Sequence, residues 1–475
     1  MSEVRSAETL RQQKFIKMTT EPVEKLILKL AIPTIISMLV TTFYNMADTY
    51  FVGLIGKGSA TAVRDQEAAI AAVGVVMSLM AVIQAFGFFF GHGSGNFVSR
   101  ALGQNDVKSA ETVATSGFFY AIITGILMTV LGLTFDEQLA SVLGCNPDFL
   151  EETFQYMNII LLGAPINMAS IVLNNQMRFQ GNATFAVVGI STGAVLNIGL
   201  DAWFILGLDL GVKGAAFATI IGQAVSFILL LIGIEKSDCI KIRFKNLRFN
   251  KFCVSEIFRG GLPSLGRQGL SSVSIACLNN MARDYGTPAV AAMSVVSRIM
   301  LFAASALIGF GQGFQPVCGY NYGAKLYTRV KKAFWFCVKW AVVFIIGISI
   351  PAFIFSKQIT GIFSDSQEIA RIAGTAMRFQ LVTFPVMSWV VMSNMMLQTM
   401  GRVFSATILA IARNGLTFIP AILTLPLIFE FTGVMLAQPV ADILTLAISI
   451  PVTIKVLQEL EKEPELKVNK QDLSK

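Results

Sequence analysis

Gly91–Gly103 reads GHGSGNFVSRALG, and 220 residues further on Gly311–Gly323 reads GQGFQPVCGYNYG. Gly91, Gly93 and Gly103 fall on Gly311, Gly313 and Gly323 at that one offset. The register extends in both directions. Upstream, IAAVGVVM from Ile70 matches VAAMSVVS from Val290; downstream, Pro165 falls on Pro385, Asn174 on Asn394 and Gly181 on Gly401. Further upstream the offset becomes 230, with Pro33 in AIP matching Pro263 in GLP. The ten-residue difference falls in GKGSATAVRDQE, read as an insertion in the first half only. Gly and Pro serve backbone conformations that other residues replace poorly. Their repetition at a fixed distance therefore identifies a duplicated fold.

The solvent of that fold is lipid. The chain has 475 residues, of which 54% are hydrophobic and 14% charged, with mean hydropathy +0.66. Soluble domains are about a quarter charged. Apolar runs of about twenty residues, the length that crosses a bilayer, recur throughout and lack the period-two alternation of barrel strands. Twelve helical spans are expected: 26–55, 70–99, 110–134, 149–176, 183–207, 213–234, 255–283, 288–317, 330–355, 368–396, 403–428 and 434–457. The expected division is a segment 1–25, a first six-helix lobe 26–234, a basic linker 235–254, a second lobe 255–457 and a tail 458–475. The first 25 residues are polar and mixed in charge, so no cleavable leader is expected.

The formal charge of +8 suggests nucleic acid only until its carriers are placed. Most of the 37 Lys and Arg lie in connectors of one parity, which include both ends of the chain; the other parity holds a handful. The positive-inside rule makes the basic set, and both termini, cytoplasmic. The stretch EKSDCIKIRFKNLRFNKF from Glu235 is a topology determinant beside anionic lipid. The six cysteines show no metal spacing, and neither disulfides nor a metal site are expected. There is no phosphate-binding loop, zinc motif or nucleophile elbow, so neither an enzyme nor an ATP-driven pump is expected, and no cofactor.

Two six-span halves share one orientation and are related by an axis along the membrane normal. Transporters of that design bind substrate between halves and rock one against the other. Pro33, Pro165, Pro263, Pro385, Pro420 and Pro439 lie inside spans and free backbone carbonyls there. Pro33 is the candidate gating kink.

Intramembrane charge is costly, roughly 2.5–3.5 kcal/mol at a helix centre, so each instance needs a role. Asp48, in NMADTYFVG, lies about seven residues, roughly 10 Å at 1.5 Å per residue, from the outer end of span 1. Asp201 is at matching depth in span 5 and Thr219 in span 6. Asn197 and Tyr44 sit one turn from Asp201 and Asp48 on the same helical faces. Two acids with no basic side chain at that depth should not both be ionised, and would titrate as a pair. Their oxygens suit H⁺ or Na⁺. The second half instead carries Arg267, Arg298, Arg378 and Arg413 near mid-span, with Asp442 as its one clear intramembrane acid. Depth predicts an Asp442–Arg298 ion pair and places Arg267 toward the central cleft, so ion coupling belongs in the first half. His92, the single histidine, is assigned a packing or hydrogen-bonding role. Met and Phe at the cleft would give an adaptable apolar surface.

These features together resemble the multidrug and toxic compound extrusion (MATE) transporters. The resemblance rests on DTYFVG after Pro33, on SRALGQND and YNYGAKL ending spans 2 and 8, on LNIGLD in span 5 and on GVKGAAFATIIGQ leading into span 6. It covers residues 20–457. It implies two six-helix lobes in a V around a central cleft, and export of cationic or amphipathic organic compounds in exchange for H⁺ or Na⁺ by a monomer in the cell membrane. It also implies a cation site at Asp48, Asp201, Asn197 and Thr219, with Tyr44 beside it, and a bend at Pro33. Asn174, Arg267 and Gln268 are expected to face the cleft and its substrate. Arg267, Gln268, Arg378 and Gln380 stand where the NorM-like branch has second-lobe carboxylates, which resembles the DinF/MepA-like branch. A lipid-linked oligosaccharide flippase of the same superfamily is the alternative, favoured by the mid-span arginines and opposed by the paired first-lobe acids.

Overall fold

The structure, a computed structural model, describes residues 2–55, 62–237, 239–363 and 366–465. Half of the GKGSATAVRDQE insertion and most of the C-terminal tail lie outside the described residues. Those described are helical, without a strand among them. After a leading helix Ser2–Thr20 come α1 (Val23–Val52), α2 (Ala62–Gly103), α3 (Val107–Thr134), α4 (Leu150–Phe179), α5 (Ala183–Asp201) and α6 (Gly211–Glu235). The second half begins with α7 (Lys251–Arg283), α8 (Thr287–Gly323) and α9 (Tyr327–Ile354). Next is α10, made of Gln367–Thr383 and Val386–Thr399 with a 57° bend between them. Pro385, which cannot donate to the helical ladder, sits at that bend.

Nine described helices pass a length-and-apolarity test for crossing a membrane, and the bent α10 makes a tenth. Two further facts bring the spans to the twelve expected. Val403–Lys462 forms one run of 60 residues, roughly 90 Å at 1.5 Å per residue and about three bilayer cores. It breaks at Glu430, whose φ of 51° and ψ of −135° are not helical, which separates α11 (403–429) from α12 (431–462). The remaining span, α7, is 33 residues long but fails on apolarity, because it carries Arg259, Arg267, Gln268, Asn279 and Asn280.

The 220-residue register is visible in the backbone. Helices α3 and α9 begin and end exactly one repeat apart, at Val107–Thr134 and Tyr327–Ile354. Four helix ends close in the same way. Asp106 N–H donates to Ala101 O (2.9 Å) and Leu326 N–H to Asn321 O (2.8 Å), after Asn105 and Lys325 at φ 62° and 56°. Asn182 N–H donates to Met177 O (2.9 Å) and Arg402 N–H to Leu397 O (3.0 Å), after Gly181 and Gly401 at φ 81° and 77°. This six-to-one bond over a left-handed residue satisfies carbonyls that a helix end leaves open.

The chain divides into two compact units. The first comprises residues up to Gln13, Ile36–Leu102 and Asp106–Gly261; the second comprises Lys14–Ile35, Gly103–Asn105 and everything from Leu262. The first halves of α1 and α7 therefore belong to the units opposite to their sequence order. The changeovers fall two residues after Pro33 and one residue before Pro263, the matched prolines.

In the second unit the start of α1 packs on α8 with no side chain between them. A Cβ on Gly313 would lie 2.4 Å from Ala31 Cα, and Thr34 Oγ1 donates to Gly309 O at 2.7 Å. In the first unit the start of α7 approaches α2 equally closely, since a Cβ on Gly93 would lie 2.3 Å from Ile257 O. Gly93 and Gly313 are matched positions. Both copies therefore keep glycine at this position because each receives a helix backbone there.

Candidate functional site

In the first unit, α1, α4, α5 and α6 bring five predicted or newly visible groups to one end of the helix bundle. Asp201, in the last position of α5, is completely buried, and Asn197 and Thr219 are buried beside it. The Asn197 amide fits its surroundings when its nitrogen donates to Asp201 Oδ2 (3.3 Å) and its oxygen accepts from the Thr219 backbone N–H (3.2 Å). Asp48, near the end of α1, lies within electrostatic reach of Asp201. Asp48 Oδ1 and Asp201 Oδ1 are both buried without a protein hydrogen-bond partner among the described residues. No lysine or arginine pairs with either carboxylate among the described residues.

Tyr156 completes the group, and the sequence reading did not find it. It is completely buried on α4, its hydroxyl makes no hydrogen bond among the described residues, and it faces Asp48, Asp201, Tyr44 and Thr219. The signal was present. Tyr156 lies about as far into span 4 as Thr219 lies into span 6.

A cavity of about 120 Å³ opens beside this group, lined by Tyr44, Asn197 and Thr219 at one end and by Asn167, Ser170, Asn174, Gln223 and Ser226 farther along. That volume holds several waters, and the lining supplies their partners. Met38 and Phe88 give it an apolar side. Asn174, predicted to meet substrate, lines this cavity while its amide donates to Ala186 O at 3.0 Å. The other two residues predicted for the cleft, Arg267 and Gln268, are half-buried on the α7 portion of the second unit. Pro33 sits within α1, which continues as helix through it.

His92 is buried between Phe88, on which it stacks at 5.4 Å, and Phe179, with its Nε2 3.5 Å from Arg178 Nη2. Arg178, itself buried, also donates to Asn175 Oδ1.

The predicted Asp442–Arg298 pair is corrected. Asp442 Oδ1 pairs with Arg413 Nε at 2.9 Å and accepts a second hydrogen bond from Gln438 Nε2 at 2.9 Å, whereas Arg298 is exposed. Depth placed Arg298 level with Asp442 but did not give its direction around the helix. Arg378 is also engaged locally, donating to Ser356 Oγ at 2.8 Å and lying over the Phe353 ring.

The MatE family model matches this chain twice, over residues 33–203 and 263–423, one match on each copy of the repeat. The chain belongs to the MatE family. Among its relatives, the multidrug export protein MepA of Staphylococcus aureus (strain MSSA476) is 26% identical over 422 residues, covering 89% of this chain and 91% of MepA. MepA of Staphylococcus haemolyticus is 27% identical over 420 residues, covering 88% and 90%. These MatE relatives are named as export proteins rather than enzymes. Among solved structures, an outward-facing multidrug resistance MATE transporter of the MOP superfamily superposes with a TM-score of 0.87 at 24% identity, over 94% of this chain and 99% of its own. The Vibrio cholerae MATE transporter VcmN, in a singly substituted form, gives 0.85 at 19% identity, over 92% and 97%. Both likenesses show the fold: the MATE architecture of twelve spans in two lobes. The chain is a multi-pass membrane protein.

Proposed function

We propose that this MatE chain is a secondary antiporter in the cell membrane, exporting small amphipathic organic cations in exchange for a proton bound at Asp48 and Asp201. Na⁺ is the competing occupant. The observation that carries this reading is a pair of neighbouring carboxylates, each with a buried and unpartnered oxygen, to which no described residue supplies a cation. In a low-dielectric bundle such a pair is costly when doubly charged, and one bound cation relieves it. Among the described residues, three oxygens around the pair are buried without a hydrogen-bond partner: Asp48 Oδ1, Asp201 Oδ1 and the Tyr156 hydroxyl. A proton needs only one of them, whereas Na⁺ would need several of the site's oxygens at once, so the proton is taken as the first occupant to test.

The adjacent cavity supplies the second half of an exchange. Its mixed polar and apolar lining suits an amphipathic guest, and the nearby carboxylates favour a cationic one. Guest and coupling cation then compete for the same negative charge, so each binds best after the other leaves. A proton returning inward brings about 2.3 kcal/mol per 100 mV in addition to its pH-gradient term. Both termini are taken to face the cytoplasm, from the distribution of Lys and Arg. The names of the MepA relatives support export of several drugs rather than one.

Purified protein in proteoliposomes tests this directly. A pH gradient alone should drive uptake or release of an ethidium-like cation, and a Na⁺ gradient alone should not. Drive by Na⁺ alone would transfer the site to Na⁺. No drive by either gradient would overturn the antiporter reading, and stabilisation of the protein by a glycolipid instead would favour the flippase.

A further inference from the structure

The two copies of the repeat treat one pair of positions in opposite ways. In the first unit, Gly193 of α5 and Gly222 of α6 bring the two backbones together: a Cβ on Gly193 would lie 2.4 Å from Gly222 O. The 220-residue register maps Gly193 onto Arg413 and Gly222 onto Asp442. In the second unit those positions hold a half-buried guanidinium and a buried carboxylate, Nε to Oδ1 at 2.9 Å. Thr417, the match of Asn197, stands one turn along and bonds Thr445 Oγ1 at 3.0 Å. The acid Asp201 itself is matched by Ala421. Each unit thus carries intramembrane acid on the same pair of helices, but among the described residues the second alone supplies that acid with a cation of its own.

Packing alone does not account for this pair. Buried ion pairs contribute little over well-packed apolar groups of similar volume, and the neighbouring core of the second unit is apolar, drawn from α7, α8, α10, α11 and α12. Among the described residues, Arg413 is the one cation within ion-pair distance of Asp442. Gln438, Thr417 and Thr445 are neutral, and Cys277 is among the residues packed on the neighbouring apolar cluster. Arg413 also lies in a π-helical turn, Ala412–Thr417. Such turns recur at functional positions in helices.

We propose that Arg413 is a tethered cation: Asp442 is a monovalent-cation site whose occupant is built into the chain. In the first unit the cation is mobile and can be exchanged; in the second it is permanent, which restricts coupling to one unit. This assignment rests on the exchange reading for Asp48 and Asp201, and its consequence is specific. Removal of the guanidinium converts Asp442 into a site for H⁺ or Na⁺.

The test uses full-length protein in lipid nanodiscs, in a background of Asp48→Asn and Asp201→Asn, so that the outcome does not depend on whether the first unit couples. Infrared spectra are recorded against pH, and then against Na⁺, for that background alone, with Arg413→Gln, with Arg413→Met, and with Arg413→Gln plus Asp442→Asn. The expected result is one additional protonated-carboxyl band in both Arg413 variants, removed by Na⁺ or by high pH and absent when Asp442 is also replaced. With the first unit intact, Arg413→Gln should add one cation moved per substrate in proteoliposomes. Should neither single replacement fold, recovery of folding by the added Asp442→Asn supports the assignment, because the acid then needs a cation. Folded Arg413 variants in which Asp442 binds neither H⁺ nor Na⁺ overturn it. So does failure of the Arg413→Gln/Asp442→Asn pair to fold, which would make the ion pair a packing element.

Discussion

Asn174 and Asn394, one repeat apart, make the same hydrogen bond: each side-chain amide donates to the carbonyl twelve residues on, Ala186 at 3.0 Å and Ala406 at 2.7 Å. In each unit this bond links the fourth helix of the repeat to the fifth, close to the turn closed by Gly181 or Gly401. A buried side-chain hydrogen bond contributes about 0.5–1.5 kcal/mol, and the abandoned carbonyl adds about 1–3 kcal/mol of desolvation. Asn394→Ala should therefore lower the melting temperature with little effect on transport at saturating substrate. Asn174→Ala should lower the melting temperature similarly and also weaken substrate binding, because Asn174 lines the cavity. Equal transport losses in the two variants would remove Asn174 from the substrate path. Melting can be followed by intrinsic tryptophan fluorescence in detergent.

The close helix approaches predict a second matched pair. Gly313→Ala drives a methyl to 2.4 Å from the Ala31 Cα, and Gly93→Ala drives one to 2.3 Å from Ile257 O. Neither obstacle is a flexible side-chain end, so each variant should lose about 1–3 kcal/mol by overpacking. Gly74→Ala, with nothing within 4 Å of the new methyl, is the control and should be unchanged or slightly more stable as a better helix former. A thermal-shift comparison of the three separates helix contact from helix propensity.

The corrected ion pair gives a third prediction. Asp442→Asn leaves a half-buried guanidinium without its carboxylate and should destabilise by about 1–3 kcal/mol, less than a fully buried unpaired charge would. Arg298→Ala, at an exposed position with no ion-pair partner among the described residues, should change stability by less than about 0.5 kcal/mol. A large loss in Arg298→Ala would restore the pairing that depth alone suggested.

Tyr156→Phe removes one hydroxyl from the cation group and leaves the ring in place. The fold should be retained, while cation affinity, read from the pH or Na⁺ dependence of transport, should fall several-fold. Transport with an unaltered ion dependence would make Tyr156 a packing residue only.

Much of this was legible in the sequence because Gly and Pro mark backbone geometry. The register read from Gly91, Gly93 and Gly103 reappears as matched helix ends and matched close approaches, and depth along the spans brought Asp48, Asp201 and Thr219 to one level. Depth is a single coordinate, however. It cannot tell which way a side chain points around its helix, so Asp442 was assigned to Arg298 rather than Arg413. The π turn at Ala412–Thr417, which rotates the residues after it relative to a regular helix, has no sequence signal. Nor does the exchange of the first halves of α1 and α7 between units, since hydropathy reports burial in lipid and not the neighbour. Tyr156 was missed for a different reason, because an aromatic ring in a span is compatible with both lipid and a buried polar site.

The central claim is that Asp48 and Asp201 hold the exchanged cation. The most direct measurement is the cation flux induced by substrate in proteoliposomes of known internal pH and Na⁺, for the wild-type chain and for Asp48→Asn and Asp201→Asn. The account predicts a substrate-induced flux in the wild-type chain and none in either variant, with both variants still folded and still binding substrate. Undiminished coupled flux in both variants would contradict it.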